Sequence, residues 1–336
     1  MYKKEMSRLT ARPMEPAGMV RRSKAHRALR RFWSQRWLQL FAILGFVYML
    51  VFNYLPMLGI QIAFKDYKPN MGFIGMFTAP ITRENGFYHF NTFFRDPNFG
   101  TVMRNTIVLS LLKLAFSFPV PILFALAINE MRGTVCKRIV QTVSYLPHFI
   151  SWVIVYGLMF NFLNTSNGVV NSLLQSAGMD KIEFLTGSEY YYTIAVISDI
   201  WKEMGWWSII FLAAISGIDQ SQYESAKVDG ASRLRCIWSI TLPNIKGTIM
   251  IVLIMAIGSL MSGGMGGSNF DQSYLLGNTI NYTRSVTLPY YTYQMGLTQF
   301  RFSYATAIGL FQSLISLALV LISNWTSDKL TGSSFF

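Results

Sequence analysis

Three charged residues interrupt an apolar stretch near the middle of the chain: Asp199, Lys202 and Glu203 stand within residues 191–216, with Trp206 following at helical spacing. An isolated charge in hydrocarbon costs about 2.5–3.5 kcal/mol on insertion scales, so such groups need partners or water. Spacings of three and four residues put them on one helical face, where they can line a cavity while the opposite face meets lipid. Two arrangements fit. Either Asp199 pairs with Lys202 while Glu203 bonds to a neighbouring helix, or the stripe touches a polar solute or forms its gate. Lys113, alone in an earlier apolar run, is expected to pair or to snorkel. A second set, Asn269, Phe270, Asp271 and Gln272, offers amides and a carboxylate beside an aromatic ring. That combination suits a sugar, whose hydroxyls need polar partners while its C–H faces stack on rings, and also suits a surface met by an external protein.

Neither set looks catalytic. His26, His89 and His148 are scattered, no nucleophile stands beside a base, and no metal-ligand spacing emerges. Cys136 and Cys236 are too few for a disulfide framework. No catalytic residue, metal or cofactor is therefore expected in this chain.

The elements that must position these residues follow from composition. Of 336 residues, 52% are apolar and 13% charged, far oilier than a soluble domain of this length. The net charge of +13 does not point to nucleic acid, because the basic residues lie between hydrophobic runs. Six such runs, near 38–57, 105–128, 139–163, 191–216, 247–262 and 304–326, approach the roughly 20 residues needed to cross a bilayer. They are continuous rather than alternating, which predicts helices and not barrel strands. Pro119, Pro121 and Pro147 predict kinks. If the N-terminus is cytoplasmic, the inner pieces hold 19 Lys and Arg against eight in the outer pieces, so both ends are expected inside.

The reading is thus an all-α membrane protein with six transmembrane helices. Residues 1–36 form a basic cytoplasmic leader whose Trp33, with Trp37 beyond it, anchors an interfacial segment; residues 37–330 form the transmembrane domain and 331–336 a short tail. The first apolar run is expected to stay as a helix, since no small-residue cleavage site follows Tyr54-Leu55-Pro56. Outside, residues 169–179 predict a short helix on the surface.

The inner loop 217–246 carries the stretch YESAKVDGASRLRCIWSITLP, residues 223–243. Ser221 and Glu224 have the spacing of a capping box, which predicts a helix start there. Gly230 predicts a left-handed exit after about eight residues, roughly 12 Å. Ser232 is placed to cap a second short helix, with Leu234, Ile237, Trp238 and Thr241 on one side, and Leu242-Pro243 is expected to end it. Physical reasoning alone leaves open whether this is a rigid device or an ordinary polar loop.

Glu224-Ser225-Ala226, then three residues, Gly230, nine residues, and Ile240-Thr241-Leu242-Pro243 resembles the EAA loop of bacterial binding-protein-dependent ABC importer permeases. Ser225 departs from the alanine common there, though it is still small. Asp229-Gly230-Ala231, Ser144-Tyr145-Leu146-Pro147 and Ile200-Trp201-Lys202 look like the branch that imports sugars and oligosaccharides, particularly polysaccharide-type permeases. The resemblance covers most of residues 37–330. It implies the type I ABC importer permease fold, a bacterial cell-membrane location, and a coupling helix, marked by Glu224, Ser225, Ala226, Asp229 and Gly230, that docks into a separate ATPase. Tyr223 is a candidate aromatic anchor in that contact. The implied partners are a second permease subunit, two cytoplasmic ATP-binding subunits that bind ATP and Mg, an extracellular solute-binding protein and membrane lipid. No GxxxxGK[ST] stretch occurs, and the glycines after Leu260-Met261-Ser262 read as a helix exit rather than a nucleotide contact. The alternatives are an ion-gradient-driven secondary transporter, with Asp199, Lys202 and Glu203 as coupling sites, and an ABC importer of a non-sugar solute.

Overall fold

A computed structural model describes residues 35–331. Residues 1–34 of the leader expected at 1–36, Trp33 among them, and residues 332–336 of the tail expected at 331–336 lie outside the described residues. Apolar runs have become helices, as a backbone in lipid requires. Among the described residues there is no β-sheet, only a bridge between Lys65 and Ile81. Contacts divide the chain into two units, Met1–Gly59 and Ile60–Phe336. In the first, helix α1 (Arg36–Met49) enters a π turn at Leu50–Tyr54 and continues through Leu55–Met57.

The second unit holds α2 (Phe99–Phe116), α3 (Pro119–Glu130), α4 (Thr134–Tyr145), α5 (Trp152–Leu163), α6 (Val169–Ser176) and α7 (Tyr191–Ser216). These are followed by α8 (Gln220–Val228), α9 (Leu242–Gly258), α10 (Asn269–Leu276), α11 (Leu288–Tyr293) and α12 (Phe302–Thr331). Among the described residues, four apolar helical stretches are long enough to cross a membrane: Arg36–Phe64, Phe99–Glu130, Arg233–Gly258 and Phe302–Lys329. The run expected at 139–163 is a pair of helical pieces, Thr134–Phe149 and Trp152–Leu163, bent by 103°. Pro147 sits in the 3-10 turn at that bend, and Pro119 opens α3 after the break that follows α2. The run at 191–216 is a continuous helix of 26 residues, about 39 Å at 1.5 Å per residue. Its three charges, all buried, set it apart from the apolar stretches.

Two boundaries differ from expectation. Leu242-Pro243 does not end a helix. Arg233–Cys236 passes through a π turn at Ile237–Thr241 directly into α9, whose second residue is Pro243. Proline lacks an N–H and crowds the carbonyl four residues back, and the wider turn before it relieves both problems. The fifth run, expected to reach residue 262, ends as an α-helix at Gly258 and folds into two 3-10 turns, Leu260–Ser262 and Gly264–Gly266.

Within the second unit α7 packs chiefly on α3, and α9 on α12. One apolar core gathers Ile122, Ala125, Ile128, Phe211, Ile215 and Ile245; another gathers Phe93, Val102, Val286, Leu288, Tyr304 and Ile308. Leu314, Leu317, Leu321 and Trp325 form an exposed stripe along α12. A contiguous exposed apolar face of that kind is foreign to a soluble monomer and suits lipid or a protein partner.

Candidate coupling element and polar seam

The first candidate site is α8 with its two ends. Asp219, not Ser221, is the N-cap: its carboxylate accepts from the Ser221 N–H at 3.0 Å. The expected capping box is therefore displaced, because an acidic side chain two residues earlier caps the amides and also meets the positive end of the helix dipole. Hydrogen bonds from the Ser221 backbone and side chain hold the Asp219 carboxyl below its usual range. Ser221 and Glu224 are left exposed. The C-terminus matches expectation. Gly230 has φ +75°, its N–H donates to the Lys227 carbonyl at 3.1 Å, and the Ala231 N–H reaches the Ala226 carbonyl at 2.9 Å. That pair of bonds is a Schellman motif, which stops the helix at a fixed angle. Ser232 then accepts from the Arg235 N–H at 3.3 Å, as its position predicts.

The lever is tied at its root. The Tyr223 hydroxyl meets Thr241 Oγ1 at 2.9 Å, and Asn244 Nδ2 donates to Gln222 Oε1 at 3.0 Å, joining α8 to the π turn and to α9. Tyr223 is half-buried and packs against the Ile215–Ile245 core. Glu224, Ser225 and Asp229 are exposed and Ala226 is half-buried. Val228, 87% exposed, is an apolar side chain left open on α8 that the sequence did not single out. Its signal was an aliphatic residue on an otherwise polar nine-residue helix.

The second candidate site is a polar seam between α2, α7 and α10. Lys113 Nζ donates to Ser268 Oγ at 2.6 Å and Asn269 Oδ1 at 2.8 Å, and lies 3.9 Å from Asp199 Oδ1. Ser268 donates to Asp199 at 2.6 Å, and Asn269 Nδ2 to Ser110 Oγ at 2.9 Å. Lys113 is thus paired, whereas the expected Asp199–Lys202 pair does not form. Lys202 reaches instead toward the 103° bend, donating to the His148 carbonyl at 2.6 Å and lying 3.5 Å from Glu203. Glu203 in turn meets His148 Nδ1 at 2.8 Å, so its expected bond to a neighbouring helical element is present. Trp206 stacks on the His148 ring, centroids 4.3 Å apart. His148 looked isolated in sequence. Pro147, which turns the chain there, was the available clue.

Asn269 and Gln272 are buried within this network, with Gln272 Nε2 donating to the Ala195 carbonyl at 2.8 Å. Burial closes both amides to a solute in this conformation, although Gln272 Oε1 has no hydrogen-bond partner among the described residues. Phe270 stands apart from them, 5.3 Å from Tyr293 and 5.8 Å from Tyr274, in a four-ring cluster completed by Tyr290. Asp271 beside it is half-buried, and burial pushes its carboxyl up despite the opposing charges of Lys113 and Lys202.

Comparison with known proteins bears on both sites. Residues 117–331 match the family described as "Binding-protein-dependent transport system inner membrane component". The chain is 42% identical over 301 residues to Protein LplB of Bacillus subtilis (strain 168), covering 90% of this chain and 91% of that protein. It is 42% identical over 317 residues to the polygalacturonan/rhamnogalacturonan transport system permease protein YteP of the same organism, covering 94% and 95%. A chain in the crystal structure of a bacterial alginate ABC transporter, in complex with an alginate pentasaccharide-bound periplasmic protein, is similar with a TM-score of 0.80 at 38% identity, covering 92% of this chain and 99% of that one.

Proposed function

We propose, from the premise that this chain belongs to the family of binding-protein-dependent transport system inner membrane components, that α8 is the lever through which ATP hydrolysis in a separate subunit moves a solute across the membrane. The chain is a permease subunit of an ABC importer for a sugar or oligosaccharide, working with a solute-binding protein. The carrying observation is the geometry of α8, capped by Asp219, stopped by Gly230 and bonded through Tyr223 to the root of α9. A rod held in that way transmits rigid-body motion, whereas a loose loop would absorb it.

In this reading six helices span the membrane, both ends and α8 face the cytoplasm, and a second permease completes the path. Glu224, Ser225, Ala226, Val228, Asp229 and Gly230 meet the ATPase, which holds ATP and Mg; Tyr223 braces them from behind. Phe270 and its ring partners offer C–H stacking surface to the sugar. Asp199, Lys202, Glu203, Trp206, Asn269 and Gln272 hold the helices together through their contacts with Lys113, Ser268, His148, Ser110 and Ala195. The test is uptake into vesicles that contain the chain with its second permease, ATPase subunits and loaded binding protein. Uptake should require ATP. Uptake that continues without ATP and collapses with an ion gradient would favour a secondary transporter.

A further inference from the structure

Arg104 and Arg284 flank the ring of Tyr192 where α2, α7 and the Tyr282–Ser285 turn meet, at the head of the polar seam. Arg104 Nη2 donates to the Thr283 carbonyl at 2.8 Å and to Asn105 Oδ1 at 3.4 Å. Arg284 Nη1 donates to the Glu189 carbonyl at 3.3 Å, with its guanidinium 5.8 Å from the Tyr192 centroid. The Tyr192 hydroxyl donates to Asn105 Oδ1 at 2.8 Å, and Asn105 Nδ2 holds the Thr283 and Val286 carbonyls at 3.0 Å each. Backbone carbonyls thus aim both arginines. No carboxylate among the described residues lies within 4 Å of either one, and the ion pairs present involve Lys113, Lys202 and His148 alone. A guanidinium carries five N–H donors in a planar fork matched to a carboxylate; beyond the carbonyl and amide bonds above, Arg104 also bonds the Tyr192 hydroxyl, which leaves donors on both guanidiniums for an anion.

We infer that Arg104 and Arg284 form an anion-recognising site for the carboxylate of a uronate residue in an acidic oligosaccharide. The inference rests on the oligosaccharide-importer reading and on the outward orientation of this end of α2 and α7. Under that orientation the site stands on the outer side, where substrate arrives before it meets any ring or amide deeper in the seam. Each guanidinium presents a planar fork that suits a bidentate anion, and both stand beside Tyr192 from separate elements. The oligosaccharide-importer reading favours a substrate carboxylate over a partner's side chain, and the test below separates the two.

The test uses the full chain assembled with its partner permease and ATPases in lipid nanodiscs, with trigalacturonate and its methyl ester as probes in equilibrium dialysis. The wild type should retain the acid at least tenfold more strongly than the ester, and the preference should shrink as salt rises. R104Q/R284Q should bind both probes alike, and R104K/R284K should keep part of the preference. Equal retention of acid and ester by the wild type, or an unchanged preference in R104Q/R284Q, would overturn the site. Loss of binding-protein copurification in R104Q/R284Q with the acid preference intact would assign the arginines to that partner instead and overturn it equally. Failure of the importer reading shows separately, as absence of ATP-driven uptake of either probe, and leaves the dialysis comparison readable.

Discussion

Lys113 and Asp199 are almost wholly enclosed, and each is bonded to the segment that follows α9. Removing one member of a buried pair leaves the other uncompensated, which typically costs about 3–5 kcal/mol, whereas replacing both with apolar groups is often near neutral. Lys113→Ala should therefore lower the thermal unfolding temperature of the purified protein well beyond the effect of Lys113→Met with Asp199→Leu. A double variant as damaged as the single one would refute this account of the pair. Asp96 gives a pH-dependent counterpart outside the membrane spans. Burial works to raise its carboxyl, but hydrogen bonds from Tyr291 at 2.6 Å, from the Asn98 backbone at 2.8 Å and from Tyr304 at 2.8 Å outweigh it and hold it below its ordinary 3.8. The Tyr291 hydroxyl is itself pushed up to about 12, first by burial, so it remains a donor at neutral pH. A carboxyl lowered on folding adds stability that is fully present above its unfolded value and is lost as pH falls through the folded one. Asp96→Asn should lower stability at pH 7 and flatten the loss measured from pH 5 down to 3.

At the scale of elements, the lever depends on how α8 stops and how α9 starts. Gly230 needs a positive φ, so Gly230→Ala should cost about 1–2 kcal/mol locally, while Gly230→Pro also removes the N–H that bonds Lys227. The proline variant, and a bulky residue at Ala226, should remain in the membrane yet lose copurification with the ATPase and lose uptake. Full copurification would show that the angle of this helix end does not matter. The start of α9 has a counterpart in α1. Each has a π turn followed at once by Leu-Pro, at Leu55-Pro56 and Leu242-Pro243. The sequence shows these prolines but not their outcome, since a turn wide enough to carry the helix through depends on main-chain bonding. Close packing sets another joint: a Cβ on Gly205 of α7 would fall 2.0 Å from the Ser144 carbonyl oxygen at the end of α4. Gly205→Val should force those helices apart and reduce uptake more than it reduces membrane insertion, measured in vesicles and by fractionation.

For the whole molecule, the proposed orientation puts Cys136, exposed at the start of α4, on the same side as α8. A membrane-impermeant maleimide should label Cys136 only after permeabilisation, and a cysteine introduced at Ser176 should be labelled in intact cells. The reverse pattern would place α8 where no cytoplasmic ATPase can reach it. Much of this architecture was legible from residue order alone. Lipid obliges each apolar run to satisfy its own backbone, so long runs announce helices, and the Gly230 exit and Ser232 cap depend on residues only a few positions apart. The partners of long-range charges were not legible. Lys113 and Asp199 stand 86 positions apart in sequence, and His148 and Glu203 stand 55 apart. Helical spacing alone favoured Asp199 with Lys202, but the 103° bend and the fold of the chain after Gly258 bring other groups nearer. Local chemistry determined which segments are helices, where α8 stops and which faces are apolar. Tertiary packing decided which charges meet, because pairing inside a low-dielectric bundle follows proximity in space, and proximity between distant segments exists only once the helices have packed.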